Sequence, residues 1–290
     1  MQNVEFADIV CKYDIKNDDE LSLLAKKQKN EGQRSLWDFV ARHPSPKWRE
    51  DLINSVQKMH TAEKRDLRRS KSRIDILKEE LQKEHKKDPA KADCNGSWLP
   101  AALEILKRNN IPRKRFQEWI LTALKFGRGK GRNLFLIGGT NSGKTFLLAP
   151  LMEIYACFTS PSEGTFNWVG VIGKEIILLN DLRYDGNGVG DHEVLPWQKL
   201  LNLLEGFPVN ISMPKNFHGK DHEHVDDTPV FITSDREIKR IMGNREDAGE
   251  SAQLRKRLNC QMLTHQFRDE EVNYFLTPCG RCFAELVLYS

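Results

Sequence analysis

The sequence predicts an α/β protein, a mostly parallel five-stranded sheet flanked by helices and preceded by a charged helical N-terminal region. Three observations predict it. Short continuous apolar runs recur at 133–137, 166–172, 176–179, 229–233 and 258–267, separated by helical or loop segments, as expected of parallel strands covered on both faces. A glycine-rich stretch at 138–145, GGTNSGKT, leads from the first run into helix-forming residues. Residues 1–97 are polar, rich in charge and poor in such runs.

The 290 residues suffice for one α/β domain of about 170–200 residues and a smaller accessory region. In the N-terminal part, helices are expected at 35–43 and from Pro46 onward through Ile53, Val56 and Met59. Leu67, Ile74 and Leu81 are spaced by sevens with Leu77 at the offset position, which suits either a short coiled-coil helix or a solvated single helix. The segment KKDPAKADCNGS, with Pro89, Asn95 and Gly96, breaks the helical pattern and places a domain boundary after residue 97, giving domains 1–97 and 98–290. Helical spacing returns at 98–126, as two helices meeting at 110–112. This stretch and the following turn hold Arg108, Arg113, Lys114, Arg115, Lys125, Arg128 and Lys130 against Glu118, a cluster that suits either phosphate contact or solvated surface.

Formal net charge is +4, too mild to prove a nucleic-acid partner. No apolar run approaches the roughly 20 residues of a membrane span, so no membrane partner is expected. The acidic, mixed N-terminus lacks a secretory layout, so an intracellular protein is expected, with its six cysteines mostly reduced. The run KRDLRRSKSR at 64–73 could act as a nuclear address.

The pattern G-x-x-x-x-G-K-[ST] is met by Gly138, Gly143, Lys144 and Thr145, with a strand before and helix formers after. Glycines let successive backbone N–H groups point inward at phosphates, and the following helix adds its positive N-terminal end. Gly138, Gly139, Thr140, Asn141, Ser142, Gly143, Lys144, Thr145 and Phe146 are the expected nucleotide contacts. Lys144 would reach the β and γ phosphates of ATP, and the Thr145 hydroxyl would ligate Mg²⁺. Pro150 should end or kink the helix after about two turns. In KEIILLND, Asp181 closes an apolar strand and is expected to hold Mg²⁺ through water or to orient the attacking water. Asn180 stands where many such ATPases carry a second acid, and Asp185 is the acid that would compensate.

With these motifs placed, residues 98–270 resemble the superfamily 3 helicases, such as parvovirus non-structural, papillomavirus and circovirus Rep-type proteins, a family of P-loop ATPases of AAA+ type. The resemblance rests on Asn141 two places before the last glycine of the loop, on the compact core, and on the order of the segments that follow. LPWQKLLNLLEGFPVNISMPKNFHGKDHEHV looks like the family's helix and DNA-channel hairpin. By resemblance Lys215 or Lys220, with His218 nearby, would contact DNA. TPVFITSD looks like the strand carrying the γ-phosphate sensor, but it ends in Asp235 where the family has Asn. An aspartate there repels a triphosphate unless protonated or paired with Mg²⁺ or arginine. SAQLRKRLNCQMLTHQF looks like the turn bearing the arginine finger, so Arg257, with Arg255 in reserve, would reach a neighbouring subunit's nucleotide. The resemblance therefore implies an ATP- and Mg²⁺-dependent DNA helicase or translocase of a viral or mobile-element genome, acting on single-stranded or duplex DNA as a ring, with six subunits the expected number. A nucleotide-binding assembly or packaging module with little hydrolysis is the alternative, motivated by Asn180 and Asp235.

Two further constellations stand apart. Cys279 and Cys282 in PCGRC have the spacing of half a zinc site without a second pair, and only Cys260 and His265 folding nearby would complete it. The plainer reading is a turn with two free thiols. His218, His222 and His224 are expected on the hairpin, facing solvent or DNA rather than a metal.

Overall fold

A computed structural model describes residues 3–87, 93–159, 168–182, 195–214, 221–243, 245–272 and 277–289. The chain divides into two compact units, Met1–Lys71 and Ser72–Ser290.

The first unit is helical: α1 (Asn3–Lys12), α2 (Asp18–Asn30), α3 (Ser35–Arg42) and α4 (Pro46–Arg69). Asn17 caps α2 by accepting from Glu20 N at 2.9 Å, and the Glu20 carboxylate accepts from Lys16 N at 2.8 Å. Phe6, Val10, Leu21, Leu36, Phe39 and Ile53 form its core, with the Phe6 and Phe39 rings stacked at 4.7 Å. Arg49 grips buried Asp18 through two bonds of 2.5 and 2.6 Å, a fork geometry that satisfies both charges at once.

The second unit begins at α5 (Arg73–Glu80). The Ser72 hydroxyl accepts from Asp75 N and restarts the chain as a new helix, so the heptad pattern does not run on as one helix. Leu67 is 63% exposed, whereas Ile76 and Leu77 are buried with Trp98 and Phe283 in the second unit's core. The structural boundary therefore lies at 71/72 rather than at 97, because α5 contributes apolar side chains to the α/β core.

After α6 (Trp98–Arg108) and α7 (Arg113–Phe126) come β1 (Asn133–Gly138), α8 (Lys144–Leu148), α9 (Pro150–Ile154), β2 (Cys157–Thr159) and β3 (Ile176–Leu179). Then follow α10 (Trp197–Glu205), β4 (Val209–Ile211), β5 (His222–His224), β6 (Val230–Ser234), and a small hairpin of β7 (Ile241–Met242) and β8 (Arg245–Glu246). The unit closes with α11 (Ala248–Arg257), β9 (Leu258–Leu263), α12 (Asp269–Val272) and α13 (Gly280–Leu288). β2, β3, β6, β1 and β9 lie in that order in one sheet, every neighbouring pair parallel. Side chains alternate across it: Leu134 and Leu136 of β1 join the core containing Trp98, Phe116 and Phe283, while Phe135 and Ile137 join the core containing Trp197, Leu200 and Leu254. Each fully buried aliphatic or Phe side chain contributes about 1.5–3 kcal/mol, which explains why this strand is continuously apolar.

Two local expectations differ. The run at 166–172 is not a strand where described: Val169–Val171 is a single 3₁₀ turn, with Gly170 inside it and Gly173 after it at φ +72°. Glycine packs poorly in a strand interior, and the apolar residues are used otherwise, Trp168 lying 5.0 Å from the Phe158 ring. The outer strand is instead β2, only three residues long. The kink at Pro150 is found, since α8 stops at Leu148 and α9 starts at Pro150.

The basic cluster turns partly inward. Arg128 is 3% exposed and donates to the carbonyls of Leu203, Phe207, His224 and Asp226 at 2.7–3.2 Å. It thus clamps the end of α10 to the antiparallel β4–β5 pair. Arg113 donates to the Glu285 and Leu286 carbonyls of α13. These arginines cap backbone acceptors rather than facing a phosphate chain. Among the described residues no helix is long and apolar enough to cross a membrane.

Candidate nucleotide site

The glycine-rich loop lies between the carboxyl end of β1 and the first turn of α8. Asn141 at φ +59° and Gly143 at φ +88° turn the chain through left-handed geometry, the conformation that lets successive backbone N–H groups face a bound phosphate. A Cβ at Gly143 would stand 2.7 Å from Ile105 Cγ2, and one at Gly138 would stand 2.5 Å from the Leu263 carbonyl oxygen, so both positions require glycine. The segment after β9 braces the loop: Phe267 N donates to Asn141 O at 2.9 Å, and Asn141 Nδ2 to Asp269 Oδ1 at 2.9 Å.

Lys144 curls over this loop. Its Nζ donates to the carbonyls of Gly138 at 2.6 Å and Gly139 at 2.8 Å, and to Ser142 Oγ at 3.3 Å. These acceptors are neutral, and burial pushes the lysine pKa down, while Asp181 and Asp235 oppose the shift. A cation held by weak acceptors in a desolvated loop is well placed for a stronger anionic one.

Beside it, Asn180 Oδ1 accepts from Thr145 Oγ1 at 3.0 Å and from Thr233 Oγ1 at 2.7 Å, and Thr233 Oγ1 in turn accepts from Asp181 N at 2.8 Å. One amide oxygen thereby joins the phosphate loop, the end of β3 and the end of β6. The residue at the Thr145 hydroxyl is thus Asn180 rather than Asp181. Asp181 has φ +53°, an unusual conformation for a residue with a side chain, which aspartate tolerates better than most. Asp235 is held by Arg236 through two contacts of 3.1 and 3.2 Å, the arginine partner its charge requires. Asn180 was legible only as a missing acid, and Arg236 was not singled out in the sequence at all.

The remaining nominated residues are distributed more widely. Thr140 is exposed at the loop's outer side. The Phe146 ring stacks on Trp98 at 5.2 Å, so the side chain belongs to the core and only its backbone in the first turn of α8 can meet a ligand. Arg257 precedes β9, whose first residue pairs with Asn133, the first of β1. It therefore lies at the opposite end of the sheet from this chain's own loop, roughly 15–20 Å away at about 3.3 Å per residue. Its Nε stands 2.7 Å from Glu205 Oε2, close but poorly angled for a hydrogen bond, so the contact is an ion pair. Arg255 is more exposed and pairs with Glu237 at 2.7 Å. Lys215, His218, Lys220 and Asp185 lie outside the described residues. The antiparallel strands on either side of 215–220 are described, with Val209 opposite His224 and Ile211 opposite His222. His224 is buried, its pKa lowered by burial and by Arg128; its Nδ1 lies 4.0 Å from Asp226 Oδ2, and among the described residues neither ring nitrogen has a hydrogen-bond partner. It is a neutral packing residue rather than a metal ligand.

The groups around Lys144 and Thr145 offer oxygens: the Thr145 hydroxyl, the Asn180 amide oxygen and, near enough to act on the Lys144 charge, the carboxylates of Asp181 and Asp235. That set fits a hard cation such as Mg²⁺.

No protein-family model and no curated protein matches the sequence. Solved structures do. The X-ray structure of the JCV helicase is similar with a TM-score of 0.58 and 13% identity, over 100% of this chain and 86% of that one. The inhibitor-bound JCV helicase gives 0.56 and 13%, over 100% and 86%. The same helicase bound to a thiazolopyridinyl-phenoxyphenyl acetamide gives 0.54 and 13%, over 89% and 72%. At such identity the shared property is the fold alone, an α/β unit with a five-stranded parallel sheet, as the resemblance noted in the sequence leads one to expect.

Proposed function

We propose that this protein is an ATP- and Mg²⁺-dependent DNA helicase or translocase of superfamily 3 type, working as a ring. The observation that carries the reading is Lys144, desolvated over a left-handed loop at the carboxyl end of β1 and held there by neutral acceptors. Exchanging those neutral carbonyls for phosphate oxygens adds the attraction of opposite charges to bonds that the lysine charge alone now assists. The backbone N–H groups of the loop bind the phosphates, and Thr145 and Asp181 would hold Mg²⁺, which when bound neutralises charge on the phosphate oxygens. Asn180 keeps the Thr145 hydroxyl in place. Arg236 restrains Asp235, reducing its repulsion of the triphosphate. Arg257 would serve the nucleotide of an adjacent subunit, because it lies at the far end of its own sheet. Lys215, His218 and Lys220 would contact the DNA backbone, making binding sequence-blind and salt-dependent. The likeness to the JCV helicase supports the reading at the level of fold. The exposed basic residues between Lys64 and Lys71 favour nuclear residence as an added proposal.

DNA-stimulated ATP hydrolysis, compared between the wild type and Lys144→Ala, tests the assignment. Equal activity in both sinks it.

One observation favours a second reading, a nucleotide-binding assembly or packaging module with slow turnover: the group at the Thr145 hydroxyl is an uncharged amide. That reading expects tight nucleotide binding without turnover. Higher activity in Asn180→Asp with Asp235→Asn would support it, whereas a fall would show that both residues are adapted to hydrolysis.

A further inference from the structure

Away from the nucleotide site, His85, Cys94, Cys279 and Cys282 converge, with one ligand atom from each lying within 4.8 Å of every other. The three cysteines are buried and carry free thiols. Cys94 Sγ is 3.5 Å from Cys282 Sγ, while His85 Nδ1 is 3.7 Å from Cys279 Sγ and 3.4 Å from Cys282 Sγ. A disulfide would require about 2.05 Å. A tetrahedral zinc with Zn–S of about 2.3 Å and Zn–N of about 2.05 Å separates two sulfurs by about 3.8 Å and a sulfur from a nitrogen by about 3.6 Å. The observed spacings match that geometry.

The surrounding chain is shaped to hold the four groups. Cys279 is the N-cap of α13 and Cys282 sits in its first turn, with Gly280 between them where a Cβ would meet Glu80 Oε1 at 2.6 Å. Cys94 N donates to Lys86 O at 3.0 Å, and Asn95 at φ +42° and Gly96 at φ +86° turn the chain around the cluster. The groups that complete the Cys279–Cys282 pair are therefore His85 and Cys94, not Cys260 and His265. His265 belongs elsewhere: its N–H donates to Asn109 Oδ1, and its ring packs against Phe267.

We propose that His85, Cys94, Cys279 and Cys282 bind one structural zinc ion, closing a tetrahedral Cys₃His site. Three thiolates and one imidazole are a borderline-soft set with no open position, which suits structural zinc and not Mg²⁺ or Ca²⁺. Binding releases the thiol protons to solvent and involves no redox change. The ion ties the segment between α5 and α6 to the start of α13, joining cysteines 188 residues apart. Its role is independent of nucleotide chemistry.

Elemental analysis of the full chain, purified under reducing conditions and dialysed against metal-free buffer, tests this. About one zinc per chain is expected. Cobalt exchanged into the site should give the intense ligand-field bands of a tetrahedral thiolate complex, and a chelator should lower the melting temperature. Cys260→Ser should retain full metal, whereas Cys94→Ser should lose most of it. Because Cys94→Ser could fail to fold, wild-type protein titrated with a thiol-blocking mercurial offers a second measure, with zinc released in proportion to thiols modified. Wild type without stoichiometric zinc or cobalt, a Cys94–Cys282 disulfide in place of metal, or an unchanged cobalt spectrum in folded Cys94→Ser would each overturn the proposal.

Discussion

The two ends of the central sheet use similar residues for opposite purposes. At the amino end, Arg128 donates to four main-chain carbonyls, Arg257 pairs with Glu205, and buried Asn133 donates to the carbonyls of Gly129, Leu204 and Arg257 at 2.7–2.9 Å. At the carboxyl end, Lys144 rests on its own loop, and two hydroxyls share the single amide oxygen of Asn180. The first set joins separate elements and has its strong partners already. The second keeps a desolvated cation and oxygen donors around a concavity, at the strand ends where parallel sheets bind ligands. The location along the strand, and not the type of side chain, separates a clamp from a site.

Four changes would break or sharpen this contrast. Lys144→Ala should have the largest effect, lowering ATP turnover by about 100-fold or more while leaving thermal unfolding nearly unchanged, since only bonds within one loop are lost. A steady-state ATPase assay beside a melting curve checks both halves. Arg128→Ala should do the reverse. It leaves four main-chain carbonyls without their donor, two of them buried, and should cost about 3 kcal/mol in a urea titration, through loosening of the β4–β5 pair.

Arg257→Ala lies between these extremes. Loss of its ion pair should cost about 1 kcal/mol. If it also completes a neighbour's site, mixing Arg257→Ala with Lys144→Ala subunits should restore part of the hydrolysis that neither shows alone. No recovery on mixing, with Arg255→Ala recovering instead, would transfer the role to Arg255.

The smallest effect concerns pH. Burial lowers the Lys144 pKa in the free protein, and phosphate would raise it again. Nucleotide affinity should therefore be constant while the free lysine is charged, and should fall on the alkaline side between its free and bound pKa values. Binding measured by calorimetry across that range should show the fall in wild type but not in Lys144→Arg.

Strands β1, β3, β6 and β9 were legible because buried parallel strands leave continuous apolar runs. β2 was not, because three residues make too short a run, and the longer run at 166–172 was read as a strand in its place. α2 did carry a local signal, Asn17 followed three residues later by Glu20 ahead of Leu21 and Leu24, which the reading by apolar periodicity passed over. The boundary was expected at 97 because KKDPAKADCNGS reads as a linker and the helical spacing before it was carried across Ser70 and Ser72, where a serine cap restarts the helix. The phosphate-loop lysine was readable from a local motif, but the partners of Asn180 and Arg128 come from strands and helices far apart in sequence, which no local spacing encodes. The same holds for His85 and Cys94 beside Cys279.

The packing of α5 against α13 has a practical consequence for anyone producing the α/β unit alone. A fragment beginning at residue 98 would lack Ile76 and Leu77 and leave bare the apolar surface they cover around Phe283. Such a fragment should go largely to inclusion bodies, whereas one beginning at Ser72 keeps its first and last helices together and should remain in the soluble fraction.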